Sequence, residues 1–340
     1  MMNKRIIAIT MGDAAGIGPE IILKTFQGAE TERVNLLVIG DLAVMREVAK
    51  RLEINGLEFN SIASLDEAKW QKHMVNVWDM QLLKPGDFLV GQVSAKVGDA
   101  AFKYIIEGIR LAKEGSIAAV VTAPINKESI QSAGHHFAGH TEIFAEYTGT
   151  ANYAMLLYDK KFSVIHVSTH IPLMDAITTL NQQRIERVIQ LAEDSMQLIL
   201  GRSPRIAVAG LNPHAGENGL FGRQEIDIIK PAIDNMRSKG LNVTGPHAPD
   251  TIFLRTVQGH HDIVVAMYHD QGHIPMKLLG FDSGVNVSVG MPIIRTSVDH
   301  GTAFDIAWKG IAKNDSLLQA IYLAEKLSNP QGFQNRLSHL

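Results

Sequence analysis

The chain has 340 residues, a length that suits two domains or one large α/β unit rather than a single small domain. Its net charge of −3, without a basic run interleaved with aromatic residues, argues against nucleic acid as a partner. It has no cysteine, so disulfides and thiolate ligands are excluded and a bound metal must be held by nitrogen and oxygen. The first apolar run is cut at Gly12-Asp13 and no later run is long enough for a membrane span, so we expect a cytoplasmic protein.

Seven apolar runs rich in β-branched residues predict buried strands. They are 6–11, 34–39, 117–121, 153–158, 162–167, 205–211 and 262–268. The runs 153–158 and 162–167 are close enough in sequence to form a hairpin. Helices are expected from Pro19, over 102–112, over 185–199, over 224–237 with a kink at Pro231, and from Asp315, whereas 56–93 looks irregular. Because strands and helices alternate, the fold class is α/β with a largely parallel sheet.

Two segments that follow predicted strands could bind an anion, one through backbone amides and the other through a lysine. Residues 12–20 turn the first strand into a helix, and glycines there would let backbone amides approach an anion. The glycine spacing is not that of the dinucleotide fingerprint, so a structural role is the favoured interpretation. Lys127 follows the strand 117–121 and could bind a phosphate or a carboxylate, although spacing alone favours a solvated lysine.

Three histidines share one context, since each follows a predicted strand. His170 comes after 162–167, His214 after 205–211 and His269 after 262–268. In an open α/β sheet the carboxyl ends of the strands lie along one edge, where ligands bind. Three imidazoles meeting there would form a metal site with open positions, which is typical of a catalytic rather than a structural metal. A metal held in this way acts as a Lewis acid on a substrate oxygen.

The stretch 262–310 contains several more polar side chains within an otherwise apolar segment. Lys277, Asn286 and Arg295 are costly to bury unless they meet anionic or polar partners. Lysine and arginine could hold the anionic ends of one substrate, arginine in bidentate fashion. These residues predict a metal-assisted enzyme acting on a small, multiply anionic substrate. Hydride transfer, aldol cleavage and epimerisation all remain open at this point.

Five motifs together resemble the 4-hydroxythreonine-4-phosphate dehydrogenases of pyridoxal phosphate biosynthesis. They lie at 12–20, 139–142, 212–217, 268–272 and 295–303, in order over nearly the whole chain, with one departure at Ala14, where the family usually has proline. The resemblance implies an NAD-dependent oxidation of the C3 hydroxyl of a four-carbon acid phosphorylated at C4, followed by loss of carbon dioxide. It also implies a divalent metal (zinc, magnesium or cobalt) and a homodimer whose metal site is completed across the interface.

The resemblance also assigns roles to individual residues. The implied metal ligands are His170, His214 and His269. The implied substrate-binding residues are His140, Thr141, Lys277, Asn286 and Arg295. The general base is not identified, and Asp250 and Asp270 are the candidates.

A looser resemblance links residues 300–312 to the adenosine-binding loop of isopropylmalate and isocitrate dehydrogenases. It implies cofactor contacts at His300, Gly301, Ala303 and Asp305. The implied fold has two α/β/α domains that share a largely parallel sheet, with the active site in the interdomain cleft. Residues 1–128 and 298–340 would form the nucleotide-side domain, and 129–297 the metal, substrate and dimerisation domain.

The substrate remains open between two branches of the family. Residues 158–170, 218–222 and 273–281 resemble the branch that oxidises 4-phospho-D-threonate or 4-phospho-D-erythronate, which we favour over 4-phosphohydroxy-L-threonine. A non-redox metal-dependent aldolase or epimerase acting on a phosphorylated sugar acid is the alternative, and it would turn over without nicotinamide. A non-catalytic protein that binds a phosphorylated metabolite is a third hypothesis.

Overall fold

The structure is a computed structural model that describes residues 5–28, 33–279 and 284–328. Two parts of the sequence predictions lie outside the described residues: the end of the nucleotide-side domain, 329–340, and the last two residues of the motif 273–281. Contact density divides the chain into two compact units. The first unit contains the described residues up to Thr150 together with Met291–Ser328, and the second contains those of Ala151–Gly290. No helix of the described residues is long and apolar enough to cross a membrane.

The described residues form twelve strands and eleven α-helices. The strands are β1 Ile6–Thr10, β2 Asn35–Gly40, β3 Glu58–Ile62, β4 Met74–Asp79, β5 Ala119–Thr122, β6 Ala154–Tyr158, β7 Ser163–His166, β8 Ile206–Ala209, β9 Val243–His247, β10 Ile263–Ala266, β11 Val285–Val289 and β12 Arg295–Val298. The helices are α1 Gly18–Gln27, α2 Leu42–Arg51, α3 Ala95–Lys113, α4 Lys127–Ser132, α5 His140–Thr148, α6 Leu173–Thr178, α7 Gln182–Leu200, α8 Lys230–Ser238, α9 Pro249–Val257, α10 His269–Leu279 and α11 Asp315–Ser328. The α/β class predicted from the sequence is confirmed.

In the first unit, six strands lie in the order β3-β4-β2-β1-β5-β12, and every pair is parallel. The central strands are fully buried, as the near-continuous apolar runs predict, and side chains such as Ile7, Ile9 and Leu37 are inaccessible to solvent. In a parallel sheet the strands all end at the same edge. The glycine-rich turn after β1 and the residues after β5 therefore lie at one edge of this unit.

In the second unit, the order is β11-β6-β7-β10-β8-β9. Strands β6 and β7 form the predicted antiparallel hairpin, and β11 is antiparallel to β6. Strands β7, β10, β8 and β9 run parallel as neighbours. The ends of β7, β10 and β8 therefore lie side by side. The core below them is apolar and includes Val164, Ala207, Ile252 and Val264.

Several details differ from the sequence-based expectation, which also gave no strand at β9, β11 or β12. The stretch 56–93 contains β3 and β4. Strand β3 was missed because it is an edge strand whose residues are mostly exposed or half-exposed and partly polar, and β4 was missed because Asn76 and Asp79 interrupt its apolar pattern. The helix predicted over 224–237 starts with a π-helical turn at Glu225–Ile229 before α8 begins. Pro231 is the second residue of α8 and follows the π-helical turn directly, so it lies within a continuous helical segment, and the kink expected at this proline stays a prediction.

The unit boundaries at 150/151 and 290/291 also differ from the predicted domain boundaries at 128/129 and 297/298. Helix α5 belongs to the first unit because its Tyr147 packs on Phe102 of α3, with ring centroids 5.8 Å apart. The whole of β12 belongs there as well, since Arg295 pairs in register with Val120 of β5. The shared sheet and the isocitrate dehydrogenase-like domain arrangement stay predictions.

Candidate active site

Two of the predicted metal-binding histidines lie side by side in the second unit. His170 follows β7 and His269 begins α10 directly after β10, and their ring centroids are 5.8 Å apart. Both line a cavity of about 390 Å³, which also has Tyr268, Asp270 and apolar Leu173 in its wall. Two imidazoles that bind one ion through nitrogens about 2.1 Å away would place their ring centroids about 5 Å apart. The observed separation fits a shared ion.

The carboxylate of Asp270 fixes the orientation of the His269 ring. His269 Nδ1 lies 2.6 Å from Asp270 Oδ1, and donation from Nδ1–H leaves the Nε2 lone pair available for another ligand. A carboxylate bound to the distal nitrogen is the usual partner of a metal-binding histidine because it sets the tautomer and raises basicity. Asp270 therefore fits a supporting role toward His269 better than that of a general base. Asp250, the other candidate base, is exposed in the first turn of α9.

His214 lies in an unusual backbone segment after β8. Five consecutive residues, His214 to Asn218, have positive φ angles between 41° and 80°, and only Gly216 among them is a glycine. The left-handed conformation costs other residues about 1 kcal/mol or more each, so the surroundings must hold it in place. Strain of this kind collects at functional sites, which makes the segment a candidate ligand loop.

The carboxylate of Glu225 holds this loop. It is buried and accepts hydrogen bonds from Leu211 N (2.7 Å), Asn212 N (2.7 Å) and Asn212 Nδ2 (2.9 Å). Bonds from three N–H groups to one carboxylate are strong because the acceptor is charged. The loop is thus anchored at its start, directly before His214.

The described residues of one chain bring no three histidine, aspartate or glutamate side chains together in a group that could hold a metal ion. His170 and His269 form the pair described above, whereas the aromatic neighbour of His214 is Phe221, at 6.1 Å between centroids. The sequence predicts that a second subunit completes the set. The three-histidine site therefore stays a prediction.

The remaining predicted substrate-binding residues of the second unit lie on two elements. Lys277 is half-buried in the last turn of α10. Asn286 lies in β11, where its Nδ2 is 3.1 Å from the sulfur of Met155. Neither placement alone identifies what they bind.

In the first unit, Arg295, His140 and Lys127 lie close enough for the two cations to act on the histidine. Arg295 begins β12, is almost fully buried and donates from Nη2 to Thr122 Oγ1 at 2.8 Å. Its guanidinium lies 5.7 Å from the centre of the Phe144 ring in α5, the helix that starts at His140. Burial lowers the pKa of Arg295 to about 9, although the nearby carboxylate of Glu142 acts in the opposite direction.

His140 is held in its neutral form beside these cations. Its pKa is lowered well below the usual value, first by burial and then by the positive charges of Arg295 and Lys127. Its Nε2 is buried and has no hydrogen-bond partner among the described residues. Thr141 follows at the first turn of α5 and is also buried. Arg295, His140 and Lys127 thus form a cluster, here called the anion cluster, that is suited to a carboxylate or a phosphate group.

The predicted cofactor loop rests on the glycine-rich turn within the first unit. Ile17 N donates to Thr302 O (3.0 Å), and Trp308 Nε1 donates to Ala14 O (3.1 Å). A Cβ on Gly16 would lie 2.8 Å from Thr302 O, so the two segments approach closely only because Gly16 lacks a side chain. His300, Gly301 and Asp305 are exposed, and Ala303 adopts a left-handed conformation with φ of 43°. Hydrogen bonds to the glycine-rich turn thus anchor the loop, and His300, Gly301 and Asp305 remain exposed to solvent.

Comparison with known proteins identifies the family. Residues 32–324 match the family described as pyridoxal phosphate biosynthetic protein PdxA. The chain belongs to the PdxA family. It is 48% identical over 327 residues to a D-threonate 4-phosphate dehydrogenase of Salmonella typhimurium, a match that covers 96% of this chain and 100% of the relative. It is 45% identical over 327 residues to a 4-hydroxythreonine-4-phosphate dehydrogenase of Beijerinckia indica, covering 96% of each chain.

A solved PdxA-family structure agrees with the fold. The 4-hydroxythreonine-4-phosphate dehydrogenase of Klebsiella pneumoniae superposes with a TM-score of 0.86 at 50% identity, covering 96% of this chain and 98% of that one. The family resemblance predicted from the motifs is confirmed. The chain is an oxidoreductase of the 4-hydroxythreonine-4-phosphate dehydrogenase type.

Sequence reasoning missed several residues that shape the site of this PdxA-family oxidoreductase. His273 stacks on His269 with centroids 3.6 Å apart, and His166 lies behind it at 4.7 Å from His273. Burial, more than any neighbouring charge, lowers the pKa of His166 to about 3, so that its ring is neutral. The signal for His273 was its helical spacing of four from His269, whereas His166 lies inside an apolar strand and gave no signal.

Proposed function

We propose that this PdxA-family chain oxidises the C3 hydroxyl of a four-carbon hydroxy acid phosphorylated at C4 and then decarboxylates the product, using NAD and a divalent metal. The favoured substrates are 4-phospho-D-threonate and 4-phospho-D-erythronate, and 4-phosphohydroxy-L-threonine is second. The observation that carries the proposal is the anion cluster, because two cations beside a neutral histidine whose Nε2 is buried without a hydrogen-bond partner among the described residues suit an anionic ligand.

The buried guanidinium of Arg295 supports an anionic substrate. Because burial lowers its pKa to about 9, the protein interior disfavours the charged form that arginine normally keeps. A carboxylate or phosphate bound against it would stabilise that charge, and the planar fork of arginine suits two parallel hydrogen bonds. Lys127, which spacing alone suggested to be merely solvated, adds a second cation close enough to His140 to lower its pKa.

Neutral His140 has a different task from the two cations. Because its pKa lies well below the usual value, the ring carries no charge at neutral pH and can either donate or accept a hydrogen bond. Its buried Nε2 is available to a substrate hydroxyl or phosphate oxygen. The neutral ring of His140 would therefore select the ligand by hydrogen bonding, while the positive charges of Arg295 and Lys127 would select it by its negative charge.

His170, His214 and His269 are the proposed metal-binding residues. The His170–His269 separation and the Asp270 contact that fixes the His269 tautomer support this role. A metal held by these residues would supply Lewis-acid polarisation of a substrate oxygen, and a bound NAD would supply the hydride acceptor. The anchored loop with His300, Gly301, Ala303 and Asp305 is the proposed cofactor contact.

Exposed apolar side chains support the proposed homodimer. Beside His170 lie Leu173 and Met174, which are 57% and 68% exposed, and beyond His214 lies Leu220, which is 73% exposed. Each is adjacent to another large exposed apolar side chain, Leu173 to Met174 and Leu220 to Phe221, and such groups of exposed apolar side chains are typical of an interface. Because these residues flank proposed metal ligands, a second copy that covers them would also enclose the ligands. Sedimentation velocity on the Leu220→Glu variant tests this proposal, and a variant that stays as dimeric as the wild type contradicts it.

The substrate is tested by a side-by-side rate comparison. Metal-free protein is mixed with NAD, one of zinc, magnesium or cobalt, and each of the three substrates, and reduced nicotinamide is followed by absorbance. We expect the two sugar-acid phosphates to react fastest, in line with the 48% identity to a D-threonate 4-phosphate dehydrogenase. No reduced cofactor with any combination would refute the proposal. Substrate turnover without NAD would instead favour the non-redox aldolase or epimerase.

Two arginine variants test the anion cluster within the same assay. Arg295→Lys keeps the charge but loses the fork, so we expect kcat/KM to fall about 10- to 100-fold, corresponding to the loss of about 1–3 kcal/mol of charge-assisted bonding. The matched control is Arg110→Lys, because Arg110 pairs with Glu107 and Glu114 on the exposed surface of α3. Equal kinetics for the two variants would contradict the assigned role of Arg295.

A further inference from the structure

The side chain of Gln271 joins two strand ends in the second unit. Gln271 is buried in the first turn of α10, and its Oε1 accepts a hydrogen bond from Met267 N at 2.6 Å. Its Nε2 donates to Gly210 O at 2.7 Å. Met267 directly follows β10 and precedes His269 by two residues, whereas Gly210 directly follows β8 and precedes His214 by four. One amide group therefore links the two backbone segments that lead to these histidines.

A second side chain extends the connection to the third strand end. Ser168 Oγ donates to Met267 O at 3.0 Å. Ser168 lies beyond β7 and precedes His170 by two residues. The carbonyl oxygen of Met267 thus accepts a hydrogen bond from Ser168, and the amide N–H of Met267 donates one to Gln271. Ser168, Met267, Gln271 and Gly210 form one continuous series of hydrogen bonds, here called the strand-end clasp.

The clasp lies where the pairing between the strands stops. The register of β10 with β7 ends at Ala266 opposite His166, and that of β10 with β8 ends at Val265 opposite Val208. Beyond those pairs the three strands lead into the segments that carry His170, His269 and His214. Side-chain bonds at Ser168 and Gln271 therefore continue the connection between neighbouring strands after the backbone ladder has ended.

We propose that Gln271 is a positioning residue that sets the spacing of the strand ends carrying His170, His214 and His269. The inference rests on the proposed function, since it assumes that these histidines bind a metal. A side-chain amide presents a donor and an acceptor on one rigid plane without carrying a charge or needing a bound proton, as Gly210 O and Met267 N require. Glutamate could accept from Met267 N, but its second oxygen would face the carbonyl oxygen of Gly210. Methionine would leave both backbone groups buried without a partner.

Direct metal titration tests the role without using catalysis. Metal-free wild type, Gln271→Glu, Gln271→Met and Ser168→Ala are titrated with cobalt and with zinc in competition with a chromophoric chelator. Loss of an outer residue that orients metal ligands typically weakens binding about 10- to 100-fold, and we expect that loss for both Gln271 variants. A smaller loss is expected for Ser168→Ala, because only one of the three bonds is removed.

The control separates positioning from general loss of stability. Thr256→Val removes a buried hydrogen bond of similar length, from Thr256 Oγ1 to Ile252 O at 2.8 Å near the C-terminal end of α9, which is not part of the strand-end clasp. We expect this variant to unfold at lower urea than the wild type while its metal affinity stays within about threefold, since it touches none of the outer residues that orient ligands. The cobalt absorption spectrum should change for the Gln271 variants and remain unchanged for Thr256→Val.

Two results would overturn the inference, and they have different meanings. If the wild type binds metal and the Gln271 variants bind it as tightly, with an unchanged cobalt spectrum, the clasp is only structural and the proposed function stands. If the wild type binds neither cobalt nor zinc, the metal in the proposed function is wrong, and the role of Gln271 fails with it. If Gln271→Met does not fold, Gln271→Glu and Ser168→Ala decide the question, because both keep the clasp close to its native volume.

Discussion

Asp13 offers a sharp test of how the glycine-rich turn is built. The side chain is fully buried directly after β1, and Oδ1 accepts a hydrogen bond from Ala15 N at 2.9 Å. Burial raises the pKa of Asp13 from 3.8 to about 6, against the smaller lowering effects of the Ala15 amide and the Ser129 hydroxyl. The folded protein therefore binds this proton more tightly than the unfolded chain does.

The sign and size of the effect follow from proton linkage. Between pH 3.8 and about 6 the folded state keeps the proton and the unfolded state has lost it, so the free energy of unfolding falls as the pH rises. A difference of about 2 pH units costs about 3 kcal/mol at pH 8 and about 1.5 kcal/mol at pH 5. Asp13→Asn removes this cost, while the loss of a carboxylate partner for the Ser129 hydroxyl offsets about 1 kcal/mol at every pH.

Urea unfolding at pH 5 and pH 8 measures the difference. We expect Asp13→Asn to exceed the wild type by about 2 kcal/mol at pH 8 and by about 0.5 kcal/mol at pH 5, given the linkage cost and its offset. Asp66→Asn, which removes an exposed carboxylate, is the matched control. If the advantage of Asp13→Asn does not grow with pH, then burial does not control this carboxyl group and the reasoning is wrong.

Three further predictions concern the second unit. Glu225→Gln should lower the free energy of urea unfolding by about 1–2 kcal/mol, because the new amide faces Asn212 Nδ2, and adding Asn212→Asp should restore part of it by reversing that bond. Gly272→Ala should lower the melting temperature, since its Cβ would lie 2.4 Å from His166 Nε2 and overpacking costs about 1–3 kcal/mol; an unchanged melting temperature would contradict this. Burial would raise the pKa of Asp262, but hydrogen bonds from Arg202 and Arg205 outweigh it and hold the pKa far below the usual 3.8; its stabilisation is therefore fully present above pH 3.8 and is lost only as the pH falls well below that value, so Asp262→Asn should unfold earlier at pH 7 and the difference should shrink only in part at pH 3.

Much of the candidate site could be predicted because strands that end in polar residues leave a local pattern. The histidines after β7, β8 and β10 were placed correctly at strand ends, since apolar β-branched runs mark buried strands whatever their order in the sheet. That these three strands are neighbours depends on the sheet order, which no single run contains. Asn286 and Lys277 were singled out as polar side chains in an apolar stretch and again by motif, and the structure places them in β11 and α10.

Other features could not be predicted because they arise from contacts distant in sequence. The left-handed segment from His214 to Asn218 contains a single glycine, so no local preference announces it, and Glu225 holds it from outside. Lys127 was set aside as solvated because its proximity to His140 depends on how α4 and α5 pack.

The sequence by itself determined the fold class and the family, because strand and helix periodicity and short ordered motifs are local properties of the chain. It also named the candidate side chains for the proposed chemistry. Only the tertiary structure decided which of them meet: Arg295 beside His140, His170 beside His269, and Gln271 between Met267 and Gly210. The physical reason is that burial and hydrogen-bond direction depend on partners far along the chain, and these control charge state and orientation.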